Sequence, residues 1–95
     1  MEISVSSNTI TIDGNIKSVS DFQEIKQAAD NIITQHKNLV LNINDSLSIT
    51  SSVIGYLNKL VLKDGIDIHM NIGDDQLLHL IEDLNLTSTF KAKKA

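Results

Sequence analysis

Three hydroxyl residues, Thr50, Ser51 and Ser52, stand directly before a segment with the apolar spacing of a helix. Small hydroxyl side chains cap helices, because their oxygen accepts a hydrogen bond from an unpaired N–H group of the first turn. A serine in that first turn is also a favourable place for a phosphate, since the free N–H groups and the helix dipole attract anions. By themselves the three residues therefore indicate a helix cap, at a position that would also accommodate an added anion.

The other residues that could do chemistry do not combine into a catalytic or metal-binding pattern. His36, His69 and His79 lack the spacing of a ligand set, so we expect them on or near the surface. Asp74 and Asp75 are typical of a helix start, where carboxylates interact favourably with the dipole. A carboxylate pair for a metal is the less favoured interpretation. We expect no metal site, no cofactor and no enzymatic activity, and we rank a small hydrolase or ligand-binding enzyme last.

Composition restricts the classes of partner. The 95 residues carry 8 lysines, no arginine and 12 acidic residues, for a net charge of −4. An acidic chain without arginine is poorly suited to phosphate and base contacts, so we expect no nucleic-acid binding. The absence of cysteine excludes disulfides and thiolate chemistry. No apolar run reaches the roughly 18 residues of a membrane helix and no signal sequence is recognisable, so we expect a cytoplasmic protein without direct membrane insertion.

Alternating polar and apolar residues, together with short apolar runs, predict the strands that would position these residues. Period-two alternation predicts strands over residues 2–6 and 9–13, joined as a hairpin. The mostly apolar run over residues 39–43 predicts a central parallel strand buried on both faces. Alternation predicts a fourth strand over residues 66–72, and residues 86–90 are a candidate edge strand.

Helical spacing predicts three helices between these strands. We expect Ser20 to cap the first helix, with Gln23 as its capping-box partner. The second extends from the Thr50 cap to about Lys63. The third buries an aliphatic stripe formed by Leu77, Leu78, Leu80, Ile81 and Leu84.

These elements predict a single α/β domain over residues 1–90, in the order β-β-α-β-α-β-α-β. A hairpin opens a mixed, mostly parallel sheet, and the helices pack on it. Residues 91–95 contain three of the eight lysines and are expected to form a disordered, lysine-rich tail.

The strand over residues 39–43, its polar loop and the Ser-Ser helix start resemble the STAS domain, the sulphate-transporter and anti-sigma-factor-antagonist family. That family has an apolar strand, a loop and then Asp-Ser-Ser-Gly-Leu-Gly at the start of a helix. Ser51 and Ser52 match the serine pair, and Gly55 matches the second glycine. Thr50 stands where the family has Asp, and Val53 stands where it has the first glycine.

The resemblance extends beyond this motif. Family members commonly end their third helix with Gly-Leu and have another apolar residue about four positions later. Asn85, Leu86 and Phe90 fit that pattern, with Asn as the left-handed residue. The element order also matches over residues 2 to 90, although the family's C-terminal helix is missing.

The resemblance implies a bacterial regulatory domain of the anti-sigma-factor-antagonist type, which acts in signalling and transcription control. In that branch a dedicated serine kinase, which doubles as an anti-sigma factor, phosphorylates the first serine of the pair. The unphosphorylated domain binds the kinase, and phosphorylation breaks the complex. Ser51 is therefore the implied phosphosite, and such a kinase is the implied partner. The alternative is a non-phosphorylated STAS subunit of a membrane transport complex or of a signalling scaffold.

The expected docking surface lies beside Ser51 on the polar side of the second helix. Helical spacing turns Ser52, Gly55 and Lys59 away from the apolar side and places Tyr56 on the border. Thr50 precedes them at the cap. A phosphate adds about −1.5 to −2 charges, so a partner docked on these residues would lose affinity through repulsion or desolvation.

Overall fold

A computed structural model describes all residues, 1–95, as an α/β fold. Its five strands are β1 (Glu2–Ser6), β2 (Thr9–Asp13), β3 (Asn38–Ile43), β4 (Asp67–Ile72) and β5 (Lys93–Lys94). Its four helices are α1 (Val19–Ile33), α2 (Ser51–Leu62), α3 (Asp75–Asp83) and α4 (Thr87–Phe90). No helix is long and apolar enough to cross a lipid bilayer.

The sheet is mixed and its strands lie in the order in which they occur in the sequence, β1-β2-β3-β4-β5. β1 and β2 form the predicted antiparallel hairpin, and the other neighbours are parallel. Successive right-handed crossovers that always advance in one direction pass over the same side of the sheet. The helices therefore cover one face and leave the other without a helix.

The burial of alternate residues shows this division. On the helix-covered face, each strand from β2 to β4 contributes fully buried aliphatic side chains to one continuous core. The strand residues of this core are Ile10, Ile12, Leu39, Leu41, Ile43, Ile68, Met70 and Ile72. β3 is central and parallel, as predicted, but burial on both of its faces was wrong. Val40 and Asn42 are only half-buried because no helix packs on their side.

The first helix begins two residues earlier than expected. Ser18, not Ser20, is its N-cap, and the Ser18 side chain accepts a hydrogen bond of 3.0 Å from the backbone N–H of Asp21. The Asp21 carboxylate accepts the backbone N–H of Ser18 in return, which completes a capping box. The prediction of Ser20 as the cap with Gln23 as its partner was wrong. The Asp21 carboxylate is better placed to accept the N–H of the capping residue, and Val19 can remain exposed as the first residue of the helix.

The end of α3 and the segment that follows also differ from expectation. Leu84 is 45 % exposed and does not belong to the buried stripe, since α3 ends at Asp83. Asn85 takes the left-handed conformation, with a φ of 59°, as predicted for a helix stop. The candidate edge strand over residues 86–90 is instead α4, whose Phe90 is completely buried in the core.

The last five residues form structure where we expected a disordered tail. Ala92 is buried, and Lys93 and Lys94 pair with Asn71 and Ile72 as the edge strand β5. Lysine side chains favour solvent, but the backbone of this segment completes the ladder of β4. Two lysines of this segment form ion pairs. The Lys91 ammonium is 2.6 Å from the Asp67 carboxylate, and the Lys94 ammonium is 2.8 Å from the Asp75 carboxylate.

Candidate functional site

Ser51 is the first residue of α2, and its side chain is exposed. Thr50 is the N-cap, as predicted, with extended backbone angles (φ −82°, ψ 155°). Its side-chain oxygen accepts a hydrogen bond of 3.3 Å from the N–H of Val53, and its carbonyl accepts one of 3.1 Å from Ile54. The first N–H groups of a helix have no partner within the helix, so the Ser51 hydroxyl lies at the positive end of the α2 dipole.

A buried serine fixes the loop that leads into α2. Ser46 is the only fully buried polar residue of the fold, and its hydroxyl accepts a hydrogen bond of 3.0 Å from the N–H of Ile16. The same hydroxyl donates to the carbonyl of Ser48 at 2.6 Å. Ile49 is buried just before the cap. The start of α2 is therefore attached to the loop between β2 and α1.

Further hydrogen bonds join the same two loops at the carboxyl end of the parallel strands. The Asp45 carboxylate accepts the N–H of Gly14 at 2.5 Å. The Asn15 side chain accepts the N–H of Leu47 at 2.9 Å. Ligand sites of open α/β sheets generally lie at this end of the strands. The β2–α1 and β3–α2 loops thus hold the start of α2 in a defined position.

A small cleft of about 120 Å³ separates the starts of α1 and α2. Six residues line it: Lys17, Ser18, Val19, Phe22, Thr50 and Ser52. Lys17 brings a positive charge to the place where two helix N-termini are adjacent. Sequence reasoning gave Lys17 and Ser46 no role, because the contact between two distant loops has no local signature.

Three of the predicted docking-surface residues, Ser52, Gly55 and Lys59, form an exposed strip on α2 together with Ser51, here called the α2 strip. Apart from its chain neighbours and the backbone of its own helix, no atom lies within 4 Å of the position that a Cβ would take at Gly55, so its surroundings are open. The Lys59 ammonium is 3.9 Å from Asp64, a long and exposed ion pair that leaves its charge accessible. The strip is small, polar and open to a partner.

Tyr56 does not belong to this accessible surface, contrary to the sequence-based expectation. It is only 8 % exposed, and its ring packs edge-on against Phe22 with a centroid separation of 6.2 Å. Its hydroxyl donates a hydrogen bond of 2.5 Å to the Asp30 carboxylate, and the Lys26 ammonium lies 5.6 Å from its ring centre. Tyr56 therefore joins α2 to α1. Thr50 is half-buried and uses its hydroxyl for capping, so it borders the strip rather than forming it.

The environment of Tyr56 and Asp30 shifts both titrations. Burial, and then the hydrogen bond to Asp30, raise the pKa of Tyr56 far above its ordinary value. Partial burial opposes ionisation of Asp30, but the hydrogen bonds from Lys26 and Tyr56 outweigh it and lower the pKa of Asp30. The pair is thus a neutral phenol that donates to an ionised carboxylate.

The histidines lie apart from the α2 strip. His69 is on β4, on the face without helices, with its Nε2 atom 3.1 Å from the Asp67 carboxylate. His79 lines an open groove of about 550 Å³ between α3 and the β3–α2 loop, together with Leu47 and Leu80. No group of three His, Cys, Asp or Glu side chains could hold a metal ion.

The α2 strip is thus the place where an accessible hydroxyl, a helix N-terminus and an open surface coincide. The loops that follow β2 and β3 position it, and α1 supports it through Tyr56. Comparison with protein-family models, with curated proteins and with solved structures found no match for this chain.

Proposed function

We propose that this chain is a regulatory protein-binding domain of the STAS type and that phosphorylation of Ser51 switches its binding to a protein partner. One observation carries the proposal: Ser51 is exposed at the first turn of α2, in line with the open surface at Gly55 and Lys59. In this proposal the chain is a substrate of a serine kinase and is not itself an enzyme.

The helix start is suited to such a switch. A phosphate on Ser51 would face unpaired N–H groups and the positive end of the helix dipole, so α2 would remain folded. The added charge of about −1.5 to −2 would change the α2 strip locally, without rearrangement of the core. A partner seated over Gly55 would then meet a hydrated anion where it previously met a hydroxyl, and its affinity would fall.

The order of the elements agrees with the family resemblance. The opening hairpin, the strand–helix alternation up to α3 and the helix that begins with Ser-Ser are features on which the resemblance rests, and they support the proposal. The partner we propose is a serine kinase that also serves as an anti-sigma factor, in the cytoplasm of a bacterium. Thr50 stands where the family has Asp and caps the helix, which supports a defined position for Ser51 at the first turn.

A second candidate function is a non-phosphorylated STAS subunit of a membrane transport complex or a signalling scaffold. The first turn of α2 contains no acidic residue, and this observation favours the second candidate. A kinase that requires the family Asp beside the serine would not act on Thr50-Ser51. The same α2 strip would then bind its partner permanently.

Phosphosite mapping separates the two candidates. The protein is purified from its native cells in the presence of phosphatase inhibitors and analysed by intact-mass and peptide mass spectrometry. We expect one phosphate, located on Ser51 and not on Ser52. Absence of phosphate across growth and stress conditions would rule out the switch and leave the constitutive subunit.

Charge variants test the consequence for binding. Ser51→Asp should lose the partner that Ser51→Ala retains, while thermal unfolding shows that both are folded. Ser20→Asp is the matched control, because it places the same charge in the first turn of α1. Partner binding that survives Ser51→Asp, or that Ser20→Asp disrupts equally, would contradict a switch at Ser51.

A further inference from the structure

The outer edge of β1 is an unpaired strand edge. β1 pairs only with β2, and the opposite edge of the sheet is the two-residue strand β5. Proteins usually protect an edge strand with lysine, proline, a bulge or a covering segment. β1 has the sequence Glu-Ile-Ser-Val-Ser, whose only charged residue is Glu2 at its first position; it contains no proline, and its register with β2 is continuous. Val5 at this edge is 51 % exposed.

The hydrogen bonds of β2 fix which backbone groups of β1 are free. The carbonyls of Asn8, just before β2, and of Ile12 accept the N–H groups of Val40 and Asn44, both at 3.0 Å, so the backbone groups of Asn8, Ile10 and Ile12 face β3. The intervening residues of β2 face β1 and pair with Glu2, Ser4 and Ser6. The residues between those, Ile3 and Val5, therefore direct their N–H and C=O groups to the open edge.

We infer that β1 is a self-association surface and that two copies of this chain join their sheets through antiparallel β1 strands. With a two-fold axis at Ser4, Ile3 lies opposite the partner's Val5, and Glu2 lies opposite the partner's Ser6. Each Ile3–Val5 pair exchanges two backbone hydrogen bonds, so the interface has four in total. No like charges face each other, and the exposed Val5 side chains pack beside Ile3 at the margin of the core.

The other edge of the sheet makes this a closed dimer. β5 offers only two residues, both lysines, and pairs with the last two residues of β4, while α4 packs against β4; that side therefore offers no long strand edge to a third copy. An isologous pairing through β1 uses the free edge of both copies and ends the assembly. Five residues per copy bury less than a standard interface, so we expect a dissociation constant in the micromolar to millimolar range.

Two lysine substitutions test the register, using the untagged full chain in sedimentation-velocity runs over a wide concentration range. Ser4→Lys places two lysines opposite each other on the axis, whereas Ser6→Lys, the matched control, places each lysine opposite a partner's Glu2. Both side chains point to the sheet face without helices, which leaves the core intact. We expect Ser4→Lys to weaken dimerisation severalfold and Ser6→Lys to preserve or strengthen it. A wild-type chain that stays monomeric at millimolar concentration, or equal effects of the two changes, would overturn the proposal.

A cross-link provides a second readout that does not depend on charge. Ser4 and the partner's Ser4 would form a non-hydrogen-bonded pair with Cα atoms about 4.5 Å apart, within disulfide range. The chain has no cysteine, so Ser4→Cys introduces a single thiol. Under mild oxidation we expect Ser4→Cys to form a covalent dimer rapidly, and Ser6→Cys to do so slowly. Equal rates would overturn the register, and with it the proposed surface.

Discussion

The Tyr56 hydroxyl of α2 and the Lys26 ammonium of α1 bind the two oxygens of one carboxylate, that of Asp30, at 2.5 Å and 2.8 Å. Asp30 therefore connects the helix that carries Ser51 to its neighbour. The Tyr56 ring completes the connection by packing edge-on against Phe22. This contact fixes the lateral position of the α2 strip on the sheet.

Replacement of Tyr56 by Phe should lower the free energy of unfolding by about 1 kcal/mol, because the hydrogen bond to Asp30 is lost while the ring packing remains. Urea unfolding measures the change. Asp30→Ala and the double variant complete a mutant cycle, and a coupling energy near zero would show that the hydrogen bond contributes nothing.

Acid should weaken the attachment of the C-terminal segment. The hydrogen bond from Lys91 lowers the pKa of Asp67, and the hydrogen bond from Lys94 lowers the pKa of Asp75. A carboxyl group whose pKa is lower in the folded chain stabilises the fold above its ordinary pKa, about 3.9, and this contribution is lost as the pH falls through the lowered value. We expect the free energy of unfolding to decrease below about pH 4.

The Asp67→Asn and Asp75→Asn double variant isolates this effect. It should be less stable than the wild type at neutral pH and should lose less stability between neutral and acidic pH. Lys91→Gln removes the cationic partner of Asp67. It should likewise lower the stability at neutral pH and reduce the stability lost on acidification. An identical pH profile of wild type and double variant, measured by urea unfolding, would contradict the assignment.

Two glycine substitutions should have opposite effects. A Cβ at Gly73 would overlap the backbone carbonyl of Asn44, so Gly73→Ala should destabilise the fold by about 1–3 kcal/mol. A Cβ at Gly55 meets no atom from outside its own helix within 4 Å, on an exposed turn of α2, so Gly55→Ala should stabilise the fold by about 0.5–1 kcal/mol. Thermal unfolding of the two variants checks this prediction. Equal shifts of the melting temperature in the two variants would contradict it.

The cap of α2 can be tested apart from phosphorylation. Thr50→Ala removes the acceptor for the Val53 N–H and should cost about 1 kcal/mol of unfolding free energy. Thr50→Asp restores an acceptor and adds a favourable charge at the dipole, so its stability should equal or exceed that of the wild type. If Thr50→Ala unfolds like the wild type, the cap is not a stabilising contact.

Local patterns were sufficient to predict most of the elements. Alternation over residues 2–6 and 9–13 and the apolar run at residues 39–43 gave the hairpin and the central strand. The Thr50 cap and the left-handed Asn85 also follow from side-chain chemistry within a few residues. The position of Ser51 at the start of α2 was predicted in the same way, because a capped helix start is a local signal.

Contacts between residues far apart in the sequence determine the features that local patterns did not predict. Phe90 becomes helical because the core offers it a fully buried position, and Lys93 with Lys94 becomes a strand because β4 has a free edge. Tyr56 was placed on the border of the polar side of α2, yet Phe22 and Asp30 of α1 enclose it. Helical spacing cannot show what a neighbouring helix covers.

The sequential order of the strands has a consequence for how the chain folds. Each strand of the sheet pairs with the one synthesised just before it, and none is inserted between two earlier strands. Each parallel pairing closes only one strand–helix–strand unit, such as that from Thr9 to Val40 or from Asn38 to Asp67, so no pairing has to wait for a strand that is made later than its next neighbour. On the ribosome the sheet can therefore grow strand by strand as the chain emerges, and the last residues complete it at β5.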